Sequence, residues 1–294
     1  MSKVVCFGEV LWDIFPNGKK KVGGAPLNVA LRLESFGNDV TMISGIGNDD
    51  NGQKLLKYMS SNGLDTAFIQ TKQKFSTGDV TVTLNNKGSA SYEIEHPRAW
   101  DKIDFTNELE SKVIGADAFV FGSLIARDEV SKKTLYQLIE IASYNVFDLN
   151  LRPPHYSKSV LLYLMKKADF IKFNDEELYE VADYLGSKYK GLEQNLKFIA
   201  KQTQTKHICV TKGAFGAVLL YNDKLYYNSG YQIKVVDTVG AGDSFLGSLI
   251  SHLLNCETPQ KAIDVSCAIG AMVAQSEGAN PKISLQDLNT FMYP

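Results

Sequence analysis

Two carboxylic acids and two glycines crowd the stretch Asp237-Thr238-Val239-Gly240-Ala241-Gly242-Asp243. Downstream, Phe245, Leu246, Leu249, Ile250, Leu253 and Leu254 recur at the spacing of a helix facing a core, and upstream the run from Tyr231 to Val236 reads as a strand. A glycine turn therefore opens directly into a helix. The first backbone N–H groups of such a helix have no carbonyl partners, and with the helix dipole they form a site for an anion such as phosphate. Gly240, Ala241 and Gly242 would present those groups, and Asp243 adds a carboxylate beside them. That pairing suits transfer of a phosphoryl group to a hydroxyl, with amides holding the developing charge while the carboxylate receives the hydroxyl proton. An acid in a first helical turn also serves the dipole, and one carboxylate can do both.

Other chemistry-bearing groups gather where strands end. Val4 to Phe7 is an apolar run closed by Gly8-Glu9, with Asp13 just beyond it. In open α/β sheets ligands bind at that edge, although a lone Asp after a strand is more often a turn residue. Gly23-Gly24 supply a flexible turn, and Pro26 fits the first turn of a helix running to about Phe36 and stopping at Gly37. Asn28, near its start, can grip vicinal hydroxyls or cap the helix. Strand-like Asn145 to Asp148 ends in Leu149-Asn150-Leu151-Arg152-Pro153, where Arg152 can hold a phosphate or carboxylate bidentately or sit in a surface ion pair. Phe170 to Phe173 leads into Asn174-Asp175-Glu176-Glu177; first-turn acids serving the dipole account for the three acids but not for Asn174. His207 to Thr211 leads through Lys212-Gly213-Ala214-Phe215-Gly216 into the β run Ala217 to Tyr221, a hairpin on local evidence.

The elements that must position these groups alternate. Val40 to Ile46 reads as a strand, and Asn48-Asp49 lead into a helix through Leu55, Leu56 and Met59 that ends at Asn62-Gly63. From Gly78 the pattern changes: Val80, Val82 and Leu84 alternate with polar residues, Asn85-Asn86-Lys87-Gly88 make a turn, and Tyr92 and Ile94 alternate again. This is a hairpin, which with the irregular segment from Asp13 to Val22 would form a small separate sheet. Strand–helix order then returns with Ala118 to Phe121 and a helix around Ser131 to Ala142, and Thr258-Pro259 start a late helix.

Composition sets the limits. With 294 residues and 44% hydrophobic content, the chain can build one large α/β domain or two small ones. Lys plus Arg number 31 against 33 Asp plus Glu, so no one-sign field draws nucleic acid or membrane, and an anionic ligand must be met by local groups. Cys6, Cys209, Cys256 and Cys267 form no CxxC pair and read as reduced, buried thiols. No segment approaches the roughly 20 apolar residues of a membrane span, so the cytoplasm is the expected location. Absence of Gly-x-x-x-x-Gly-Lys-Ser/Thr, and of Gly-x-Gly-x-x-Gly after the first strand, argues against a P-loop enzyme and a dinucleotide dehydrogenase. The four histidines show no metal spacing, though His96 and Arg98 follow the hairpin on the ligand side.

Asp237-Thr-Val-Gly-Ala-Gly-Asp-Ser-Phe245 resembles the C-terminal signature of the ribokinase-like (PfkB) carbohydrate kinases, and Gly23-Gly24-Ala25-Pro26-Leu27-Asn28-Val29-Ala30 resembles their other signature. The resemblance runs from Val4 to about Leu288. It implies a ribokinase-like three-layer α/β/α sandwich over residues 1–294 with a small β-sheet lid from segments near 13–22 and 78–98. It implies ATP-dependent phosphorylation of a sugar hydroxyl: Asp243 as base on the Gly240–Gly242 turn, and Asp13, Gly23, Gly24, Asn28, Arg98 and Arg152 toward the sugar. Asn174 and Glu177 match the family's Asn-x-x-Glu motif and would orient Mg2+ through its water. Thr211, Lys212, Gly213 and Gly216 match its nucleotide loop, with glycines offset from the usual Thr-x-Gly-x-x-Gly. Relatives add a monovalent cation such as K+ near Asp237, and often dimerise through the lid; Cys267 stands where some carry an adenine-adjacent asparagine, leaving base contacts open. Gly8 to Pro16 and Asn150-x-Arg152-Pro153 look most like bacterial fructokinases, which implies fructose, with 2-keto-3-deoxygluconate as the alternative and ribose and nucleosides next. A catalytically silent sugar-binding regulator on the same fold would lack the base or the anion turn, and both are present.

Overall fold

Strand–helix alternation becomes a three-layer stack in the computed structural model, which describes residues 1–84 and 90–294. The expected turn Asn85-Asn86-Lys87-Gly88 lies outside the described residues. The chain opens with β1 (Lys3–Phe7), β2 (Leu11–Ile14), β3 (Lys20–Gly23), α1 (Ala25–Ser35), β4 (Asp39–Gly47), α2 (Asp50–Ser61) and β5 (Ile69–Lys72). It continues with β6 (Gly78–Leu84), β7 (Ala90–Ile94), α3 (Asn107–Ile114), β8 (Ala118–Gly122), α4 (Glu129–Ile139), β9 (Asn145–Asp148), α5 (Lys158–Lys167) and β10 (Phe170–Asn174). It closes with α6 (Asp175–Tyr184), α7 (Leu192–Thr203), β11 (His207–Thr211), β12 (Ala217–Tyr221), β13 (Lys224–Asn228), α8 (Ala241–Leu254), α9 (Pro259–Ala274) and α10 (Leu285–Met292).

The main sheet has the order β13-β12-β11-β10-β9-β8-β1-β4-β5, parallel except where β12 and β13 join antiparallel. Its inner strands are mostly apolar on both faces because helices cover both, whereas the edge strands β5 and β13 carry polar, partly exposed residues. In β1, Val5 and Phe7 enter a core shared with α3 to α7, while Val4 and Cys6 enter a core shared with α1, α2, α8 and α9. α10 adds Leu288 against Val265 and Ile269 of α9. The chain leaves β1 for β4 on one side and later returns to β8 on the other, so the strand order reverses at β1. Ligands of open α/β sheets bind at the carboxyl edge of that switch point.

A second sheet, ordered β3-β2-β6-β7, stands over that edge. The segment read as irregular is a hairpin: β2 and β3 pair antiparallel around Asn17-Gly18, and β2 pairs parallel with β6. Leu11, Asp13 and Val80 of this sheet face the main body across a cleft.

Two sequence expectations are corrected. Tyr231 to Val236 is not a strand, because β13 already forms the sheet edge and the N–H groups of Val236 and Asp237 donate to the Ala274 carbonyl at 2.8 and 3.2 Å. Cys256 is exposed just beyond α8, whereas Cys6, Cys209 and Cys267 are buried. No helix among the described residues is long and apolar enough to cross a membrane.

Candidate active site

The cleft between the two sheets encloses about 820 Å³. Its wall joins Glu9 and Asp13 after β1, Asn28 of α1, Asn150 and Arg152 after β9, Asn174 and Glu177 at α6, Thr211 of β11, and Gly240, Gly242 and Asp243 at the start of α8. Groups spread over more than two hundred residues of sequence thus meet at the switch point.

The turn into α8 has the form expected of an anion site. Gly240, at φ 75°, is the helix N-cap, and a Cβ there would lie 2.4 Å from the Ala279 Cβ, so the bend needs glycine. No side chain caps this helix. The Ala241 N–H reaches the Thr238 carbonyl at 3.3 Å, leaving the N–H groups of Gly242 and Asp243 without an acceptor among the described residues. Beside them, the Asp243 Oδ2 accepts a hydrogen bond from the Asn28 amide at 2.8 Å, and Asn28 Oδ1 accepts one from Asn280 at 2.7 Å. Burial raises the Asp243 pKa to about 6, reinforced by Asp148 and opposed by the Asn28 hydrogen bond and Lys172. The carboxyl therefore stands close to the range of a useful general base.

The opposite end of the cleft is built around Asp13. A Cβ on Gly23 would come within 2.3 Å of the Asp13 Oδ2, and one on Gly24, at φ 111°, within 2.4 Å of the Glu9 carbonyl. The double glycine therefore lets α1 begin directly against the Glu9 and Asp13 backbone and carboxylate. Burial raises Asp13 to about 6, with Arg152 opposing. Arg152 lies at the exposed rim and donates to its neighbouring Leu151 carbonyl at 3.0 Å. Glu9 is buried, and its Oε1 accepts from the Ala25 N–H at 3.3 Å.

At the third corner, Asn174 is the N-cap of α6. Its Oδ1 accepts the Glu177 N–H and Glu177 Oε2 accepts the Asn174 N–H, both at 2.8 Å, while Glu177 Oε1 accepts the Leu151 N–H at 2.8 Å. Capping thus accounts for Asn174, which dipole-serving acids alone did not. Burial raises the Glu177 pKa, with Lys172 opposing. Among the described residues no three His, Cys, Asp or Glu side chains converge as a metal cage. With both Glu177 oxygens already held by backbone, this donor set fits Mg2+ only as an ion bound mainly by phosphate and water. The Lys212–Gly216 segment joins β11 to antiparallel β12 through a tight turn, the Lys212 N–H donating to the Gly216 carbonyl at 2.8 Å. Thr211 reaches the cleft, whereas Lys212, Gly213 and Gly216 lie beyond its wall.

Arg98 is not brought to the cleft. Its guanidinium binds Asp79 at 2.6 Å and also Glu95, because Asp79 lies on the opposite face of β6 from cleft-facing Val80. His96 pairs with Asp128 at 3.0 Å, also away from the cleft. Conversely, sequence reasoning missed Lys172, whose buried ammonium meets Asp148 at 2.9 Å across neighbouring strands. Burial disfavours its charge, yet Asp148 and Glu177 hold its pKa above the usual value. A lone lysine inside the apolar run Phe170 to Phe173 was the available signal. Asn280 offered none, since its partner Asn28 is remote in sequence.

A family model described as pfkB family carbohydrate kinase matches residues 1–285. The probable fructokinase-3 of Arabidopsis thaliana is 26% identical over 310 residues, spanning 95% of this chain and 88% of that protein. The fructokinase of Escherichia coli is 24% identical over 297 residues, spanning 95% of each. The crystal structure of fructokinase from Vibrio cholerae O395 in its fructose, ADP and calcium ion bound form aligns with a TM-score of 0.85 at 25% identity, covering 99% of both chains.

Proposed function

The chain belongs to the pfkB family of carbohydrate kinases, and from that premise we propose that it transfers the γ-phosphoryl group of ATP to fructose, giving fructose 6-phosphate. The observation that carries this reading is the Asp243 carboxylate set beside the open N–H groups of the α8 turn. Asp13 and Asn28 hold sugar hydroxyls. The Gly242 and Asp243 N–H groups stabilise the charge on the transferring phosphate. A sugar hydroxyl is far too weak an acid for a carboxylate to ionise beforehand, so Asp243 takes its proton late, and most of the acceleration comes from positioning and electrostatics. The nucleotide lies toward Thr211 and the Lys212–Gly216 turn. Asn174 and Glu177 would hold Mg2+ through its water, and the ion would supply neutralisation of phosphate charge there. The small sheet serves as a lid that keeps water from competing for the phosphoryl group.

The curated fructokinases aligned over nearly the whole chain support fructose. One observation favours a second reading, 2-keto-3-deoxygluconate: Arg152 lines the cleft and has no acidic partner within 4.0 Å among the described residues. ADP release with Mg-ATP over fructose, 2-keto-3-deoxygluconate, ribose, tagatose and adenosine tests both. Selective turnover of fructose is expected. Preference for the acid sugar, abolished by Arg152→Ala, would replace the substrate and keep the chemistry. Binding of a sugar with no turnover would point to a regulator.

A further inference from the structure

The chemistry above leaves Glu9 unused. It follows β1 at the switch point, is 4% exposed, and lines the cleft beside Asp13, Gly24 and Asn28. One of its oxygens, Oε1, receives the first N–H of α1 from Ala25. The other, Oε2, is buried and has no hydrogen-bond partner among the described residues. Serving a helix N-terminus needs a single acceptor, which an amide or hydroxyl side chain supplies without burying a charge. A carboxylate kept here with one oxygen idle is accounted for by a donor that arrives with the ligand. A sugar carries such donors on adjacent carbons. An acid sugar instead brings a carboxylate toward Glu9, Asp13 and Asp243, three acids faced by the Arg152 guanidinium at the rim.

We propose that Glu9 is a specificity-determining residue of the sugar subsite, accepting one substrate hydroxyl on Oε2 and disfavouring sugars that carry a carboxylate. The inference rests on the sugar-kinase reading. Burial pushes the Glu9 pKa up to about 7, opposed by its own backbone N–H, by Arg152 and by the Ala25 N–H, with Asp243 adding to the rise.

Glu9→Gln tests it, because the amide oxygen still accepts from Ala25 while Oε2 becomes a donor. With the parent and the variant, kcat and KM are measured for fructose, its single-deoxy analogues and 2-keto-3-deoxygluconate. The expected result is a KM for fructose raised at least about tenfold with kcat changed far less. One deoxy analogue, lacking the hydroxyl that Glu9 reads, should be handled poorly by the parent and lose little further in the variant, and the preference for fructose over the acid sugar should narrow. An unchanged KM, or an equal loss on every sugar including all deoxy analogues, would overturn the proposal and leave Glu9 as a support for α1. Glu9→Asp, which keeps the charge on a shorter arm, should retain the preference against the acid sugar. If the parent turns over no sugar, the kinase reading fails first, and calorimetric binding of the same sugars to parent and Glu9→Gln still reads the contact.

Discussion

Helices α1 and α8 lie side by side in one layer and aim their N-termini into the same cleft, yet they are finished differently. Both start from a glycine in the left-handed region, Gly24 at φ 111° and Gly240 at φ 75°, and neither glycine has a side chain to cap the helix. At α1 the protein satisfies part of the end itself: Pro26 removes one donor and Glu9 accepts the Ala25 N–H, which leaves the Leu27 N–H without an acceptor among the described residues. At α8 the N–H groups of Gly242 and Asp243 stay open, and the nearest acid, Asp243, is held sideways by Asn28. Two helix ends of the same kind therefore differ, α1 with its first N–H taken by Glu9 and α8 with two adjacent N–H groups open, as the proposed phosphoryl site requires.

Filling the open end should have the largest effect. Gly242 has ordinary backbone angles, and a Cβ there meets only the Lys172 side chain, at 3.7 Å. Gly242→Asp should therefore fold with a near-parental melting midpoint while turnover falls roughly a thousandfold, since a fixed carboxylate competes for the donors of the transferring phosphate. Parental turnover would mean the α8 turn is not where phosphate sits. Asn28→Ala breaks the link between the two helices and should lower kcat/KM by roughly ten- to a hundredfold, in line with loss of a hydrogen bond to a charged group. Gly240→Ala tests the bend: left-handed strain and the clash with Ala279 should cost about 2 kcal/mol or more in chemical denaturation. The smallest effect is on pH dependence. Glu9, near 7, and Asp13 and Asp243, near 6, hold protons more tightly folded than unfolded. At these groups the native ligand-free protein thus binds more protons, which should raise its melting midpoint as pH falls from about 8 to about 5, against a smaller opposite pull from His155 and His207, whose pKa values burial lowers. Below that, protonation of Asp49, Asp128 and Asp237, whose pKa values are depressed, should reverse the trend. A midpoint falling steadily from pH 8 would show that the cleft carboxyls are better solvated than their burial implies.

Local sequence carried much of this account. The Gly240–Asp243 turn and the Gly23–Asn28 segment are contiguous, so their glycines, proline and polar groups announce a bend and a helix start together. The main-sheet strands were legible as apolar runs. Tyr231 to Val236 looked like another, but strand character also needs a neighbour, and the edge was already taken by β13. Arg98 was placed with the sugar because it follows the lid hairpin; the two-residue period of β6, which turns Asp79 away from the cleft, decided otherwise. Lys172 with Asp148, and Asn28 with Asn280, depend on strand register and helix packing between distant segments. No spacing rule reads such pairs from one sequence.

The central claim is that Asp243 serves the chemical step at the open helix end. Single-turnover transfer of the γ-phosphoryl group from labelled ATP to fructose, by the parent and by Asp243→Asn with sugar affinity measured in parallel, tests it most directly. The account predicts sugar binding within about threefold of the parent and transfer slower by roughly a hundred- to ten-thousandfold. Transfer at the parental rate by a folded, sugar-binding Asp243→Asn protein would contradict it.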